Sequence, residues 1–123
     1  MTQENEFGDL ARRMAVLPVS ARKLLCLVAR QAHRGPLLSK NPGTATMPEV
    51  HEACGLDVDA MLALIEILRA ARFLELEGEY PFETMRLTGT LDSCIQKWIG
   101  ANVPLEKVIV DLQFELLARS QTA

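Results

Sequence analysis

The sequence has no pattern typical of a disulfide framework, a membrane-spanning helix or a secretory leader. Its three cysteines, an odd number with spacings of 28 and 40, do not suggest a disulfide framework. No apolar run approaches the ~20 residues that cross a bilayer, which excludes a membrane-spanning helix. The first six residues, Met-Thr-Gln-Glu-Asn-Glu, lack the apolar core of a secretory signal. We therefore expect a cytoplasmic protein with reduced thiols and no membrane partner.

The signatures of the common enzyme classes are also missing. There is no nucleophile elbow, no P-loop, no Gly-x-Gly-x-x-Gly fingerprint and no His-Glu-x-x-His zinc motif. We therefore expect a protein that is not an enzyme and has no cofactor. What is present, 49% hydrophobic and 24% charged residues in 123, is the composition of an ordinary globular domain.

The net charge of -3 hides an asymmetry along the chain. Residues 1–40 carry seven basic and three acidic side chains, whereas residues 41–123 carry six basic and thirteen acidic ones. A basic cluster near the N-terminus is a candidate for contacts with DNA phosphates. Its members are Arg12, Arg13, Arg22, Lys23, Arg30 and Arg34. An ordinary solvated surface explains the same residues equally well, so both interpretations stay open.

Apolar spacing and turn residues predict two helices before a loop. Helical spacing over 7–17 ends at Pro18. Ser20 is the expected N-cap of the second helix, which stops at Gly35. Residues 35–47 hold several Gly, Pro, Ser, Asn and Thr residues and are typical of a loop.

The rest of the chain predicts four more helices and a hairpin. A short helix over 48–54 precedes a strongly apolar helix over about 57–72, capped by its first residue, an aspartate. The apolar period then changes to two over 73–88, which predicts a β-hairpin. Two further helices follow at about 91–100 and 104–119.

This order of elements resembles the winged helix-turn-helix superfamily over 48–88. Gly55 falls at the turn between the two central helices of that family, and Leu56 falls where the family inserts an apolar side chain. Further matching positions are Met61, Ile65 and Leu68 on the third helix, Arg72-Phe73-Leu74-Glu75 at the exit into the wing, and Arg86-Leu87-Thr88 in the return strand.

The resemblance implies a fold class and a role. The fold is mainly α with a small β-hairpin wing (α+β), extended by an N-terminal helix and two C-terminal helices. We expect one domain over 1–123, with a winged-helix core at 20–89 and a C-terminal helical extension at 90–123. Winged helices usually place the third helix in the major groove of DNA. Similar bacterial regulators commonly use helical extensions for dimerisation.

The third predicted helix lacks the side chains that usually read bases. Residues 58–67 contain no Arg, Lys, Asn, Gln, Ser, Thr or His. Residues 49–83 carry nine acidic and two basic side chains, a surface that repels phosphates. DNA readout through this helix is therefore disfavoured, and its outward face becomes a candidate protein contact. That face consists of Leu62, Ala63, Glu66 and Ile67. The alternative is that the C-terminal helices cover it as ordinary core.

The last predicted helix is apolar on two opposite sides. One stripe consists of Leu105, Val108, Ile109, Leu112 and Leu116, and the other of Val110, Phe114 and Leu117. A helix that is apolar on both sides is expected to be buried on both sides. The second stripe is therefore a candidate contact with a second protomer, most simply in a homodimer. Cover by other helices of the same chain remains the alternative.

The predicted wing carries two aromatic residues at its tip, Tyr80 and Phe82. The stretch 75–83 around them has four acidic and no basic side chains. Wings that enter a DNA groove present Arg or Lys, because the potential there is negative. We expect the two rings to contact a protein partner, with packing onto the wing itself as the alternative.

Three soft ligands, Cys26, His51 and Cys54, lie on helices that are expected to pack together. They define an alternative function, a zinc or thiol-redox sensor. Cysteines in such helices are more often small core residues, so we expect no metal site. Three functions thus compete. The favoured one is a regulatory module that works through protein contacts. The others are a DNA-binding transcriptional regulator that uses the basic cluster, and the sensor.

Overall fold

Helices dominate the structure, a computed structural model that describes residues 3–33, 43–79, 83–95 and 104–122. Within these ranges the chain forms six helices and three short strands. In chain order they are α1 (Gln3–Ala15), α2 (Val19–Ala32), β1 (Ala45–Thr46), α3 (Met47–Cys54), α4 (Val58–Ala70), β2 (Leu74–Glu77), β3 (Thr84–Leu87), α5 (Gly89–Ile95) and α6 (Leu105–Thr122). The mainly helical architecture with a small β component is the expected one.

The three strands form one antiparallel sheet in the order β1–β3–β2. Ala45 of β1 and Leu76 of β2 both pair with Met85 of β3. The β2–β3 pairing confirms the hairpin predicted from the alternation over 73–88. The strand β1 lies inside the stretch predicted as a loop, because two residues are too few to show an alternating pattern.

Local sequence signals set the ends of α3 and α4. Thr46 and Glu49 form a capping box, in which Glu49 Oε1 accepts from the Thr46 backbone N–H at 2.9 Å. α3 ends at Gly55, whose φ of 69° lies in the left-handed region that glycine adopts without strain. The Asp57 carboxylate accepts from the Ala60 N–H at 2.8 Å, which confirms the predicted cap of α4.

One other helix bound differs from the expected one, and another is described only in part. α2 begins at Val19 directly after Pro18 and has no side-chain cap, so the cap predicted at Ser20 is wrong. The φ of Pro18 is already fixed by its ring, and Ser20 falls inside the first turn. α5 is described as far as Ile95, so the remainder of the predicted helix 91–100 lies outside the described residues.

The end of α4 is an unusual helix terminus. The N–H of Phe73 donates to the carbonyl of Leu68 at 2.9 Å, and the N–H of Arg72 donates to that of Arg69 at 3.0 Å. These two bonds are a Schellman motif, which places Arg72 in the left-handed conformation with φ 66°. The turn sends the chain into β2 and buries Phe73 completely.

The two terminal helices pack against each other in an antiparallel pair. Gln113 Nε2 of α6 donates to the carbonyl of Ala11 in α1 at 2.9 Å, while Gly8 lies opposite Ser120. Residues late in α1 therefore lie beside residues early in α6, and the two helices run in opposite directions. The core between α1, α2, α4, the sheet and α6 is entirely apolar among the described residues.

Candidate protein interface

One side of α6 is buried and the opposite side is exposed. Four members of the first predicted stripe, Val108, Ile109, Leu112 and Leu116, are buried in the core, while the side chain of Leu105 lies outside the described part. The second stripe is open: Val110 is 51% exposed, Phe114 67% and Leu117 41%. These three residues define what we call the outer face of α6. They follow one another at i, i+4 and i+7, which places them along a single side of the helix.

An ion pair connects the beginning of α6 to α2. Lys23 Nζ lies 3.8 Å from Glu106 Oε2. Val19 precedes Lys23 by one turn of α2 and is 54% exposed, and Val110 follows Glu106 by one turn of α6. Both partners of the ion pair are largely exposed, so its own contribution to stability is small. The pair shows that the beginning of α6 lies beside the N-terminal half of α2.

An apolar cleft of about 200 Å³ lies where α2 meets α3, and we call it the α2–α3 cleft. Its walls are Leu24 and Leu27 of α2, Ala53 and Cys54 of α3, and Leu56 of the following turn. Ser20 and Lys23 form its polar rim. The cleft is open to solvent, because Leu56 is 37% exposed and Leu27 and Cys54 are only half-buried. Three other cavities lie around the sheet of the described chain, and the walls of each include three charged side chains beside apolar ones.

The cysteines do not form a metal centre. Among the described residues no three His, Cys, Asp or Glu side chains are grouped as a metal site would require, and Cys26, His51 and Cys54 are all described. Burial raises the pKa of the Cys26 thiol to about 12, although the charge of Arg30 acts in the opposite direction. Cys54 donates a weak hydrogen bond to the carbonyl of His51 at 3.4 Å. Cys26 is consequently a neutral core residue at physiological pH.

The predicted contact face of α4 is open to solvent. Ala63, Glu66 and Ile67 are exposed and Leu62 is half-buried, so the C-terminal helices do not cover this face. Glu66 accepts from Arg69 Nε at 2.8 Å. This hydrogen bond and the charge of Glu66 raise the pKa of the Arg69 guanidinium above its ordinary value. The face therefore presents apolar side chains beside a carboxylate that is hydrogen-bonded to Arg69.

Arg13 of the basic cluster is engaged inside the chain. Its Nε donates to Asp9 at 2.9 Å, and its guanidinium also donates to the carbonyl of Ala71 at the end of α4. The same guanidinium lies 5.1 Å from the centre of the Phe73 ring. Arg13 thus joins α1 to the Schellman turn of α4 by a charged hydrogen bond and a cation–π contact.

The other members of the basic cluster have varied surroundings. Arg12 is largely exposed and lies 3.7 Å from Asp9. Lys23 pairs with Glu106, Arg22 is half-buried, and Arg30 also has a partner within the chain. Arg34 lies outside the described residues. Arg12 is therefore the most accessible described member of the cluster for a phosphate.

The two strands of the predicted wing, β2 and β3, are described, whereas residues 80–82 between them are not. Glu75 accepts from Arg86 at 2.9 Å across the β2–β3 pair, while Glu77 and Glu79 are exposed. Tyr80 and Phe82 lie outside the described residues, so their predicted role stays a prediction.

Sequence reasoning missed the contacts that join distant segments. The Lys23–Glu106 pair and the His33–Asp92 pair, with Nε2 to Oδ1 at 2.8 Å, each join residues far apart in the sequence. His33 is also the C-cap residue of α2. The α2–α3 cleft was likewise not foreseen. The spacing of residues along the sequence does not indicate such pairs, because they depend on how the helices pack.

Comparison of the chain with protein-family models, with curated proteins and with solved structures finds no significant match in any of the three. None of the described helices combines the length and the apolar composition needed to span a lipid bilayer.

Proposed function

We propose that this chain is a non-enzymatic regulatory module of the winged-helix kind that works through protein contacts, first of all with a second copy of itself. The order α2–β1–α3–α4–β2–β3 supports the winged-helix assignment. It combines three helices with a hairpin that directly follows the third helix, and the strand before the second helix pairs with the return strand of that hairpin.

The single observation that carries the proposal is the outer face of α6. Phe114 is an aromatic side chain with two-thirds of its surface in water, between two other exposed apolar residues of the same helix. Single exposed apolar residues are common on protein surfaces, whereas contiguous exposed apolar patches tend to be interaction sites. Aromatic side chains are also among the commonest energetic anchors of protein interfaces.

A second copy of this chain is the proposed partner. An isologous two-fold interface uses the same patch on both subunits, and two-fold dimers are the commonest oligomers. The flanking charges do not oppose such an interface, because Lys107 and Asp111 neutralise each other at 2.9 Å on the same helix.

The chemistry of α4 favours a role in protein contacts over base readout. Its exposed positions offer Ala63, Ile67 and two carboxylates, Asp59 and Glu66. None of these side chains donates the hydrogen bonds that most base contacts use. The α4 face therefore serves a further protein partner of the dimer, with its acidic surroundings favouring a basic one.

Sedimentation of the purified chain tests the proposal. We expect the wild type to sediment as a dimer at micromolar concentration. Phe114→Asp places a charge without a partner in the interface, which costs about 3 kcal/mol or more and weakens association by about a hundredfold. Because Phe114 is exposed in one protomer, the variant retains the circular dichroism of a folded monomer.

Ala60→Asp is the matched control, since it adds the same charge at an exposed position of a different helix, α4. We expect this control to sediment as the wild type does. A wild type that remains monomeric at about 100 μM, or a Phe114→Asp variant that dimerises normally, contradicts the proposal.

A further inference from the structure

Contact between the outer faces of α6 alone is too small for a stable dimer. A standard interface buries about 800 Å² on each partner. A fully buried aromatic side chain contributes about 150–250 Å², and Phe114 exposes 67% of its surface. Val110 and Leu117 expose still smaller fractions of smaller side chains. A second apolar surface near α6 must therefore take part.

The α2–α3 cleft supplies such a surface. It is close to α6 because Lys23, on the rim of the cleft, pairs with Glu106 in the first turn of α6. A cavity of about 150 Å³ lined by aliphatic side chains holds a benzene molecule, so a cleft of about 200 Å³ has room for a phenyl ring. Its size and its aliphatic walls thus match an aromatic side chain.

The chemistry of the cleft also suits a phenyl ring. Leu24, Leu27 and Leu56 provide aliphatic contacts. The sulfur of Cys54 adds a polarisable contact of the kind that favours aromatic edges. Lys23 on the rim provides a cation for the face of the ring. Among the cavities described above, this is the one whose walls are apolar and whose polar groups lie only at the rim.

We propose that Phe114 of each protomer inserts into the α2–α3 cleft of the other protomer, so that the dimer contains two reciprocal anchors. This inference rests on the proposed self-association. Phe114 follows Glu106 by eight residues, about 12 Å along α6, and its exposure shows that it does not occupy the cleft of its own chain. A two-fold axis between cleft and ring brings each ring to the cleft of the other protomer.

Disulfide trapping of the full chain tests this arrangement. In Phe114→Cys, the new thiol faces Cys54 of the partner, whereas Cys26 and Cys94 are buried. We expect air oxidation to give a covalent dimer whose cross-linked peptide joins positions 54 and 114, read by mass spectrometry. Adding Cys54→Ser abolishes that product. A disulfide between two copies of position 114 overturns the inference, because it shows that the α6 helices pair directly.

Ala53→Trp tests the same arrangement without removing Phe114. Ala53 is exposed at the wall of the cleft, so the indole fills the cleft without changing the core. We expect a dimer dissociation constant at least tenfold weaker than that of the wild type, and an unchanged constant for the control Ala60→Trp. An unchanged constant for Ala53→Trp, or a Phe114→Cys dimer seen by sedimentation that forms no 54–114 disulfide, overturns the inference. If the wild type dimerises but either of these results is found, the proposed self-association stands and only the insertion of Phe114 into the cleft is refuted. A monomeric wild type refutes the self-association and the insertion together.

Discussion

Arg72→Gly is expected to stabilise the protein, although it removes a charged side chain and adds nothing. Arg72 occupies the left-handed position of the Schellman turn with φ 66°, where glycine is the usual residue. A residue with a Cβ pays roughly 1–2 kcal/mol for that conformation. Within the described part of the chain, the Arg72 side chain has no hydrogen bond or ion pair to set against this cost.

The net effect is smaller than the relief of strain. Glycine raises the conformational entropy of the unfolded chain, which offsets about 0.4–1 kcal/mol of the gain. We therefore expect Arg72→Gly to raise the free energy of unfolding by about 0.5–1 kcal/mol. Such a gain raises the melting temperature by about 2–4 °C in a domain of this size.

Urea denaturation followed by circular dichroism measures this change, with all variants at one protein concentration because dimerisation adds to apparent stability. Arg72→Ala is the matched control, since it removes the guanidinium but keeps the Cβ and the strain. We expect its unfolding midpoint to equal that of the wild type. A glycine variant that is less stable than the wild type would show that the Arg72 side chain makes a stabilising contact, and would refute this reasoning.

Three further predictions concern the basic cluster and the cysteines. Arg13→Ala removes the charged bond that joins α1 to the end of α4, and should lower the free energy of unfolding in urea by about 1.5–3 kcal/mol. With Ellman's reagent at pH 8, Cys54 should react while Cys26 stays unmodified until the chain unfolds, since its pKa of about 12 leaves almost no thiolate. If the chain binds DNA, the slope of log affinity against log salt concentration should be smaller by about 1 in Arg12→Ala, because one phosphate contact is lost. Glu66→Ala should not weaken DNA binding. A large loss of sequence-specific affinity in Glu66→Ala would show that α4 reads DNA bases.

The elements that are encoded locally could be predicted from the sequence. Asp57 and Gly55 act within one or two turns of their own position, so the cap of α4 and the turn after α3 follow from residue type and spacing. The end of α4 was predicted to within two residues, but the left-handed Arg72 was not, because arginine is not a signal for that conformation.

The features that depend on packing could not be predicted in the same way. Helical spacing identifies two apolar stripes on α6 but cannot tell which one the chain covers. The structure shows that the other helices cover the first stripe and leave Phe114 in solvent. The α2–α3 cleft likewise joins residues of two helices that are distant in sequence, and Lys23 acquires its partner 83 positions later.

The most direct test of the account is whether the Phe114 ring touches another copy of the chain. An equal mixture of isotope-labelled and unlabelled protein allows NMR to select nuclear Overhauser effects between protomers. If Phe114 inserts into the α2–α3 cleft of the other protomer, we expect intermolecular nuclear Overhauser effects from its ring protons to the methyl groups of Leu27 and Leu56 in the partner. A mixed sample at millimolar concentration in which the Phe114 ring shows no intermolecular effect would contradict it.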